Sequence, residues 1–345
     1  MHLGILTGGG DAPGLNAVIR GVVYRAVSGG HAVTGFLRGW KGVLENVTRP
    51  LGIEDVRDIQ KVGGTLLLSS RTNPMKREDG LRTVAGTLAK NSIDCLIAVG
   101  GEDTLGVACK LSEAGIRVLG VPKTIDNDLG ATDSTFGFDT AINRVADALD
   151  DLATTARSHE RVMVVEIMGR HAGWMALHGG IAGGAHVILI PEVPFDIDEV
   201  CSVLKRRWEE GRHWAVVAVA EGAMDQSLAD HVMHAEARDA FGHVQLGTGV
   251  GIGPVLADAI GSRTGIETRH VVLGHLQRGG APTAFDRVLG TRLGCKVVEM
   301  AEKGLSGMMA SLRGGGMAEV DLAEAVGTLR TVPPDQYEVA RIFFG

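Results

Sequence analysis

Short apolar, β-branched segments recur along the sequence, and each is followed by a glycine-rich or polar turn and then by a segment with helical spacing of its apolar residues. That alternation is typical of a parallel β-sheet covered by helices on both faces, so the sequence predicts an α/β fold. The predicted strands cover residues 3–7, 95–100, 117–122, 162–167, 186–191, 215–222 and 270–274. In open sheets of this class ligands bind beyond the carboxyl ends of the strands, so we expect functional residues directly after these segments.

The length of the chain predicts more than one core. With 345 residues, 45% of them hydrophobic, two domains are expected. A long amphipathic helix is predicted over residues 138–161, and the first domain boundary is placed there. Residues 223–268 are more polar and less periodic. Within them His231 and His234 could share a helix face as metal ligands, but a solvated surface helix is the favoured interpretation.

The charge and the cysteines exclude several classes of protein. A formal net charge of −7 argues against a general nucleic-acid or membrane surface, so neither is predicted as a partner, and any anionic substrate must be held by local basic clusters. The four cysteines form no CxxC pair, so neither a disulfide framework nor a zinc site is expected. No secretory signal or membrane span is recognisable. These features together predict a cytoplasmic protein.

The segment LTGGGDAPGLNAVIRG, residues 6–21, predicts a strand, a glycine-rich turn and a helix. Backbone N–H groups at such a turn, together with the helix N-terminus, can bind phosphate oxygens. The dinucleotide-binding pattern GxGxxG fails because Pro13 occupies the third glycine position, and the chain contains no Gly-Lys dipeptide for a Walker A loop. Phosphate binding and an ordinary tight turn both stay open on this motif alone.

The segment VGGEDTLG, residues 99–106, places two carboxylates directly after a Gly-Gly turn. A carboxylate beside bound phosphate is repulsive unless a cation lies between them, so Glu102 suggests a Mg²⁺ site. Asp103 then needs another explanation. One alternative is that Asp103 or Thr104 is the N-cap of the helix that follows.

The segment PKTIDND, residues 122–128, brings an ammonium, a hydroxyl and two carboxylates to the end of a predicted strand. Phosphoryl transfer needs such groups, because a carboxylate must accept the proton of the attacking hydroxyl and cations must neutralise the transferred phosphoryl group. The alternative is a polar turn, for which Asp-Asn-Asp is suitable. We favour the functional interpretation, because this motif and Glu102 are predicted at one sheet edge.

A scattered set of basic residues is a further candidate for phosphate binding, and Arg170, His275 and Arg278 in this set lie beside glycines at the ends of predicted strands. Arginine matches the geometry of phosphate bidentately, although any single arginine is more often a surface charge. The set comprises Arg71, Arg161, Arg170, Arg269, His275 and Arg278.

Taken together, these motifs resemble the phosphofructokinase family. The segments LTGGGDAPGLNAVIRG, GGEDT, PKTIDND, VVEIMGR, AEGA and GHLQRGG occur in the family's order, and the resemblance covers residues 2 to about 305. It implies two similar Rossmann-like three-layer domains with mostly parallel sheets. Residues 1–137 plus about 277–305 would bind the phosphoryl donor, and residues 138–276 plus about 306–345 would bind the sugar phosphate. It also implies a homotetramer, or a homodimer, with active sites shared between subunits.

The resemblance also implies roles for individual residues. Asp126 would be the base that takes the proton of the sugar 1-hydroxyl, with Thr124 and Asp128 beside it, and Glu102 would bind Mg²⁺. The donor side would comprise Gly10, Arg71 and Gly101, to which we add Asp103 and Thr104. The fructose 6-phosphate pocket would comprise Met168, Gly169, Arg170, Glu221, His275 and Arg278, with Arg161 and Arg269 reaching in from the adjacent subunit.

Asp103 and Lys123 together resemble the pyrophosphate-dependent branch of the family, since ATP-using members carry glycine at the position of Asp103. A carboxylate there would repel the α-phosphate of ATP, and Lys123 would supply a cation to pyrophosphate. The expected activity is therefore reversible phosphoryl transfer from pyrophosphate to fructose 6-phosphate. An ATP-dependent enzyme is the nearest alternative, and another sugar phosphate such as sedoheptulose 7-phosphate is a third. A nucleotide-binding oxidoreductase lacks its fingerprint here, and a non-catalytic regulatory subunit would be expected to lose Asp126 or Glu102.

Overall fold

A computed structural model describes residues 1–225, 227–228 and 251–345. Its larger sheet has the strand order β12-β11-β5-β4-β1-β2-β3, with β6 paired to the end of β5. All neighbours in this sheet are parallel except β2 with β3 and β11 with β12. The strands are β1 (His2–Thr7), β2 (Ala32–Phe36), β3 (Thr48–Pro50), β4 (Cys95–Gly100), β5 (Val118–Thr124), β6 (Phe136–Gly137), β11 (Met308–Arg313) and β12 (Gly316–Asp321).

The smaller sheet is parallel throughout and has the order β10-β7-β9-β8. Its strands are β7 (Val162–Ile167), β8 (Val187–Leu189), β9 (Ala215–Ala220) and β10 (Thr268–Val272). The prediction of an α/β fold with mostly parallel sheets is therefore confirmed.

Helices cover both faces of each sheet, as the buried strands require. The helices are α1 (Leu15–Ser28), α2 (Trp40–Glu45), α3 (Ile53–Val56), α4 (Gly80–Lys90), α5 (Glu102–Glu113), α6 (Phe138–Ser158), α7 (Trp174–Ala182), α8 (Ile197–Glu209), α9 (Ile252–Thr264), α10 (Ala284–Glu302), α11 (Leu322–Gly327) and α12 (Pro334–Arg341). In the larger sheet one core lies under α1 and α10, and the other lies under α4, α5 and α11. In the smaller sheet α6, α7 and α12 pack on one face, and α8 and α9 on the other.

The C-terminal part of the chain differs from the expected division. Residues from about 306 onward were expected with the sugar-phosphate domain, but β11 and β12 extend the larger sheet beside β5. They form a hairpin whose turn residues Gly314 and Gly315 both have positive φ, 57° and 78°, as a tight hairpin turn requires. Only after this hairpin does the chain return to the second core, where Tyr337 of α12 is buried.

Two further predictions concern a membrane span and a pair of histidines. No helix in the described parts of the chain is long and apolar enough to cross a membrane. His231, His234 and most of the surface helix predicted around them lie outside the described residues.

Candidate active site

A cleft opens where the carboxyl ends of β1, β4 and β5 face those of β7 and β9. Such a position is where open α/β sheets bind ligands. The cleft brings together fourteen of the predicted site residues: Gly10, Arg71, Gly101, Glu102, Asp103, Thr104, Lys123, Thr124, Asp126, Asp128, Met168, Arg170, Glu221 and Arg278. Gly9 and His171 also line it.

The loop after β1 is held tightly against its neighbours. The Gly8 N–H donates to the carbonyl of Val99 at 2.9 Å, and the Gly9 N–H donates to that of Ser70 at 3.1 Å. The side chain of Thr104 is buried beneath this loop, and a Cβ on Gly8 would lie 2.6 Å from its Oγ1. Gly9 has a positive φ of 79°. The loop backbone can therefore approach a ligand closely, as a phosphate-binding turn requires.

Helix α5 begins at Glu102, and its N-cap is Gly101, which makes no side-chain capping bond. The alternative in which Asp103 or Thr104 caps the helix is therefore wrong. Glu102 and Asp103 occupy the first turn instead, where the partial positive charge of the helix N-terminus favours carboxylates. Both residues line the cleft, so Asp103 contributes negative charge to the site rather than a cap to the helix.

Lys123 is 3% exposed and belongs to β5, which extends two residues beyond the predicted strand because Lys123 pairs with Phe136 of β6. Its Nζ donates to the carbonyl of Gly10 at 2.5 Å. Burial, reinforced by the nearby Arg278, lowers the pKa of Lys123 to about 8, although Asp126 and other carboxylates oppose the shift.

In the turn after β5, Asn127 supports the backbone, whereas Asp126 and Asp128 line the cleft. Asn127, with a positive φ of 53°, holds the turn by accepting the N–H of Thr135 at 3.0 Å. The Asp126 N–H donates to Thr124 Oγ1 at 3.0 Å, while the carboxylates of Asp126 and Asp128 line the cleft. Burial and the neighbouring Asp126 raise the pKa of Asp128 to about 7. The polar turn exists, but its two aspartates face the site.

The second sheet supplies the opposite wall. The N–H of Met168, directly after β7, donates to Gln277 Oε1 at 3.2 Å, and the N–H of Glu221 donates to the carbonyl of Ile167 at 2.8 Å. Burial and the nearby Asp126 raise the pKa of Glu221 to about 7, which Arg170 partly opposes. Arg278 links the two walls, because its Nη1 donates to the carbonyl of Asp11 at 3.2 Å.

Four predicted residues do not line the cleft. Gly169 lies between two residues that do, Met168 and Arg170. His275 borders a separate cavity with Arg144, Leu276 and Gly280.

Arg161 precedes β7 and Arg269 lies near the start of β10, so both are at the strand ends opposite the cleft. They share the carboxylate of Glu267, at 3.5 and 3.0 Å respectively. The Arg161 Nε is buried without a hydrogen-bond partner among the described residues.

The carboxylates of the cleft decide whether Mg²⁺ fits the predicted site at Glu102. Among the described residues no group of three or more His, Cys, Asp or Glu side chains forms a ready metal cage. The predicted ligand Glu102 would therefore bind the ion with at most one further protein carboxylate. That donor set fits Mg²⁺, which is usually bound by one or two carboxylates, waters and substrate phosphates rather than by an all-protein cage.

Comparison with known proteins assigns the family. Residues 2–301 match the family described as Phosphofructokinase. The chain belongs to the phosphofructokinase family. It is 56% identical, over the full length of both chains, to a protein of Amycolatopsis methanolica named pyrophosphate--fructose 6-phosphate 1-phosphotransferase. It is also 48% identical, over 99% of both chains, to ATP-dependent 6-phosphofructokinase 3 of Streptomyces coelicolor.

A solved structure supports the fold. The crystal structure of Pichia pastoris phosphofructokinase in the T-state covers 99% of this chain with a TM-score of 0.83 and 30% identity. The present chain spans 36% of that longer yeast chain.

Sequence reasoning missed two residues that line the cleft and one that supports its backbone. Gly9 is the middle glycine of the GGG run in LTGGGDAPGLNAVIRG, His171 directly follows VVEIMGR, and Gln277, which is fully buried and accepts the Met168 N–H, belongs to GHLQRGG. Each motif was recognised, but only the structure shows which of its residues face the cleft and which support the backbone.

Proposed function

We propose that this protein transfers a phosphoryl group from pyrophosphate to the 1-hydroxyl of fructose 6-phosphate, giving fructose 1,6-bisphosphate and phosphate, reversibly. The observation that carries the choice of donor is the pairing of Asp103 with the buried Lys123 on the donor side of the cleft. A carboxylate there opposes the additional phosphate of a nucleotide, while the ammonium favours a compact and highly charged donor. The relative with 56% identity carries a name that states the same activity.

In this proposal Asp126 takes the proton of the sugar hydroxyl, and Thr124 orients it. The Thr124 hydroxyl lies 3.4 Å from Asp126 Oδ2. The glycine-rich loop with Gly10 and the turn at Gly101, which precedes α5, receive the donor phosphates through backbone N–H groups. Arg71 adds a guanidinium group, which matches phosphate oxygens bidentately.

We further propose that Glu102 holds Mg²⁺ together with the donor. Bound there, the ion would neutralise phosphate charge and help orient the donor. The carboxylate stands in the first turn of α5, beside the glycines that would receive the phosphates.

On the acceptor side, the residues proposed to hold the sugar phosphate are Met168, Gly169, Arg170, Glu221 and Arg278. Arg161 and Arg269 lie at the far ends of their strands and cannot reach the cleft of their own chain. A second copy that presents them to this cleft would complete the site for the 6-phosphate, so we propose a homo-oligomer with shared sites. His275 stays proposed for the fructose 6-phosphate pocket, although in this chain it borders the separate cavity beside Arg144. The cytoplasmic location stays a prediction.

The test is an assay of fructose 6-phosphate phosphorylation with Mg²⁺, comparing pyrophosphate and ATP at matched concentrations. Strong turnover with pyrophosphate and little with ATP is expected. Preference for ATP would overturn the assignment of pyrophosphate as donor and leave the family assignment unchanged. Relatives that are 47–49% identical are named ATP-dependent, so the assay compares both donors. Sedoheptulose 7-phosphate in the same assay tests the choice of sugar.

A further inference from the structure

Lys123 is the one lysine in the described part of the chain that is buried. It arises from β5, yet its Nζ reaches the carbonyl of Gly10 in the loop after β1, on the far side of β4. A Cβ on Gly9 would lie 3.3 Å from this Nζ, so the glycine leaves the space that the ammonium occupies. The Lys123 side chain therefore places a positive charge from β5, which leads into the turn with Asp126, at the glycine-rich loop after β1.

One of the three Nζ–H bonds is used by Gly10, and that carbonyl is the hydrogen-bond partner of Nζ among the described residues. An ammonium has two further protons to donate. Lys123 lines the cleft, so these protons are available to a ligand placed over the glycine loop.

With pyrophosphate as donor, a proton from Nζ would stabilise the departing phosphate. When a nucleotide is the donor, the leaving group is a nucleoside diphosphate, which is stable without an added proton. When fully ionised pyrophosphate is the donor, the departing phosphate is a strongly basic trianion unless it is protonated as it leaves. General-acid catalysis has its largest effect on such a leaving group.

We propose that Lys123 is the general acid that protonates the phosphate leaving pyrophosphate, and that it takes the proton back when the reaction runs in reverse. This inference rests on the proposed function, since it assigns a role that only a pyrophosphate-type donor needs.

The step balances without any further reactant. A bond forms between the sugar O1 and the transferred phosphorus, and the bond from that phosphorus to the bridging oxygen breaks. The hydroxyl proton passes to Asp126, and an Nζ proton passes to the former bridging oxygen. The new phosphate group on the sugar O1 is a dianion, and the other product is a hydrogen phosphate dianion. Return of the proton from Asp126 to Lys123 restores the enzyme, so no proton is gained or lost overall.

The charges around Nζ suit this exchange. Arg278 faces it from the segment after β10, whereas Asp11 faces it from the donor loop and Asp126 and Asp128 face it from the turn after β5. Burial and Arg278 bring the pKa of Lys123 down to about 8, so its proton can be given up near neutral pH. A general acid is most effective when its pKa is close to the working pH.

The competing explanation is that Lys123 supplies only a fixed charge. The two roles separate when the basicity of the leaving group is changed. Methyl pyrophosphate, attacked at its unsubstituted phosphorus, releases methyl phosphate, and tripolyphosphate releases pyrophosphate. Both leaving groups are weaker bases than the phosphate trianion.

The experiment measures kcat at saturating donor for the wild type, Lys123→Met and Lys123→Arg, with each of the three donors. Lys90→Met, at an exposed lysine, is the matched control and should change nothing. With pyrophosphate, Lys123→Met should lose about 10²–10⁴-fold in kcat. With methyl pyrophosphate and tripolyphosphate, the loss in kcat caused by Lys123→Met should be smaller than with pyrophosphate by a factor of about ten or more. Lys123→Arg should behave like Lys123→Met with pyrophosphate, because an arginine keeps its proton.

Equal losses with all donors, or near-normal turnover of Lys123→Arg with pyrophosphate, would overturn the proposal in favour of a fixed charge. Circular dichroism and the oligomeric state verify that each variant is folded. A single-turnover solvent deuterium isotope effect on the wild type gives a second test without any substitution. It should be larger with pyrophosphate than with methyl pyrophosphate, and equal values would contradict proton transfer to the leaving group. Absence of wild-type turnover with pyrophosphate would instead refute the proposed function itself.

Discussion

The two walls of the cleft are built differently. Every predicted residue of the donor side, from Gly10 to Lys123, lines the cleft within one chain. On the sugar side Met168, Arg170, Glu221 and Arg278 line it, whereas Arg161 and Arg269 do not.

The reason for this difference is the direction of the strands. Side chains after the carboxyl end of a parallel strand reach the crevice, and side chains at its start face away from it. A strand of six residues such as Val162–Ile167 spans about 20 Å, which is far beyond the reach of an arginine. The donor side therefore belongs to a single subunit, while the sugar side is expected to need two. The predictions below test that contrast.

The largest effect is expected for Asp126, which lies between the two walls. Asp126→Ala removes the proposed base, so kcat should fall by about 10²–10⁴-fold in a folded, oligomeric protein. The measurement is steady-state turnover with pyrophosphate and fructose 6-phosphate. Asp58→Asn, at an exposed carboxylate, is the control. Near-normal turnover of Asp126→Ala would remove the central group of the proposed mechanism.

Arg161→Ala should raise the KM for fructose 6-phosphate by about ten- to hundredfold, since a hydrogen bond to a charged group contributes about 1.5–3 kcal/mol. The KM for pyrophosphate should change little. Arg269→Ala is expected to act in the same direction.

Mixing variants tests whether the site is shared. Hybrid oligomers of Asp126→Ala and Arg161→Ala chains contain some sites that combine an intact Asp126 with an intact Arg161 from the other chain. Assays at fructose 6-phosphate well below the raised KM should recover up to about a quarter of wild-type activity if sites are shared across a closed interface. Activity no higher than the average of the two separate variants would place Arg161 outside the neighbouring site and make the two walls alike.

The donor wall is tested by Asp103→Gly, which should improve kcat/KM for ATP by about tenfold, because the lost repulsion is about 1.4 kcal/mol. Lys123 stays in place, so a good ATP enzyme is not expected. Asp103→Asn keeps the volume and removes the charge, and therefore separates repulsion from steric exclusion. Unchanged kcat/KM for ATP in both variants would show that Asp103 does not select the donor.

Much of the fold follows from local pattern. The predicted strands at 95–100 and 162–167 coincide with β4 and β7, because continuous apolar segments bury themselves on both faces. The strand predicted at 186–191 is shorter in the structure, where it is the edge strand Val187–Leu189. The two-residue strand Phe136–Gly137 exists only through its pairing with β5, so no sequence period could indicate it.

The site was predicted in part for the same reason. Residues that follow strands, such as Glu102 and Asp126, were expected at one edge because parallel strands end there. The sequence could not show that Lys123 crosses to the donor loop, since that contact depends on the order of three strands. Nor could it show that Gly101, rather than Asp103, caps α5.

The smallest predicted effect concerns Glu221 on the sugar wall, whose pKa is raised to about 7 by burial and by Asp126. A carboxylate accepts hydrogen bonds from sugar hydroxyls better than a carboxylic acid does, so binding should strengthen as Glu221 loses its proton. The ionised fraction rises from about a tenth at pH 6 to about nine tenths at pH 8. The KM for fructose 6-phosphate should therefore fall by roughly fivefold over this range, which is less than the change of about tenfold in the ionised fraction because the neutral acid still accepts weaker hydrogen bonds.

Glu221→Gln is the matched control, because it keeps the shape and cannot titrate. The 6-phosphate itself ionises near pH 6, and Asp128 and Lys123 also titrate in this cleft, so the Gln variant reports all contributions other than that of Glu221. The difference between the two profiles belongs to Glu221. If both proteins show the same pH dependence, Glu221 does not contact the sugar through its charge, and the sugar wall would depend on Arg170 and the neighbouring subunit's arginines instead. The sugar wall would then bind its ligand largely through a second chain, whereas the charged groups of the donor wall all belong to one chain.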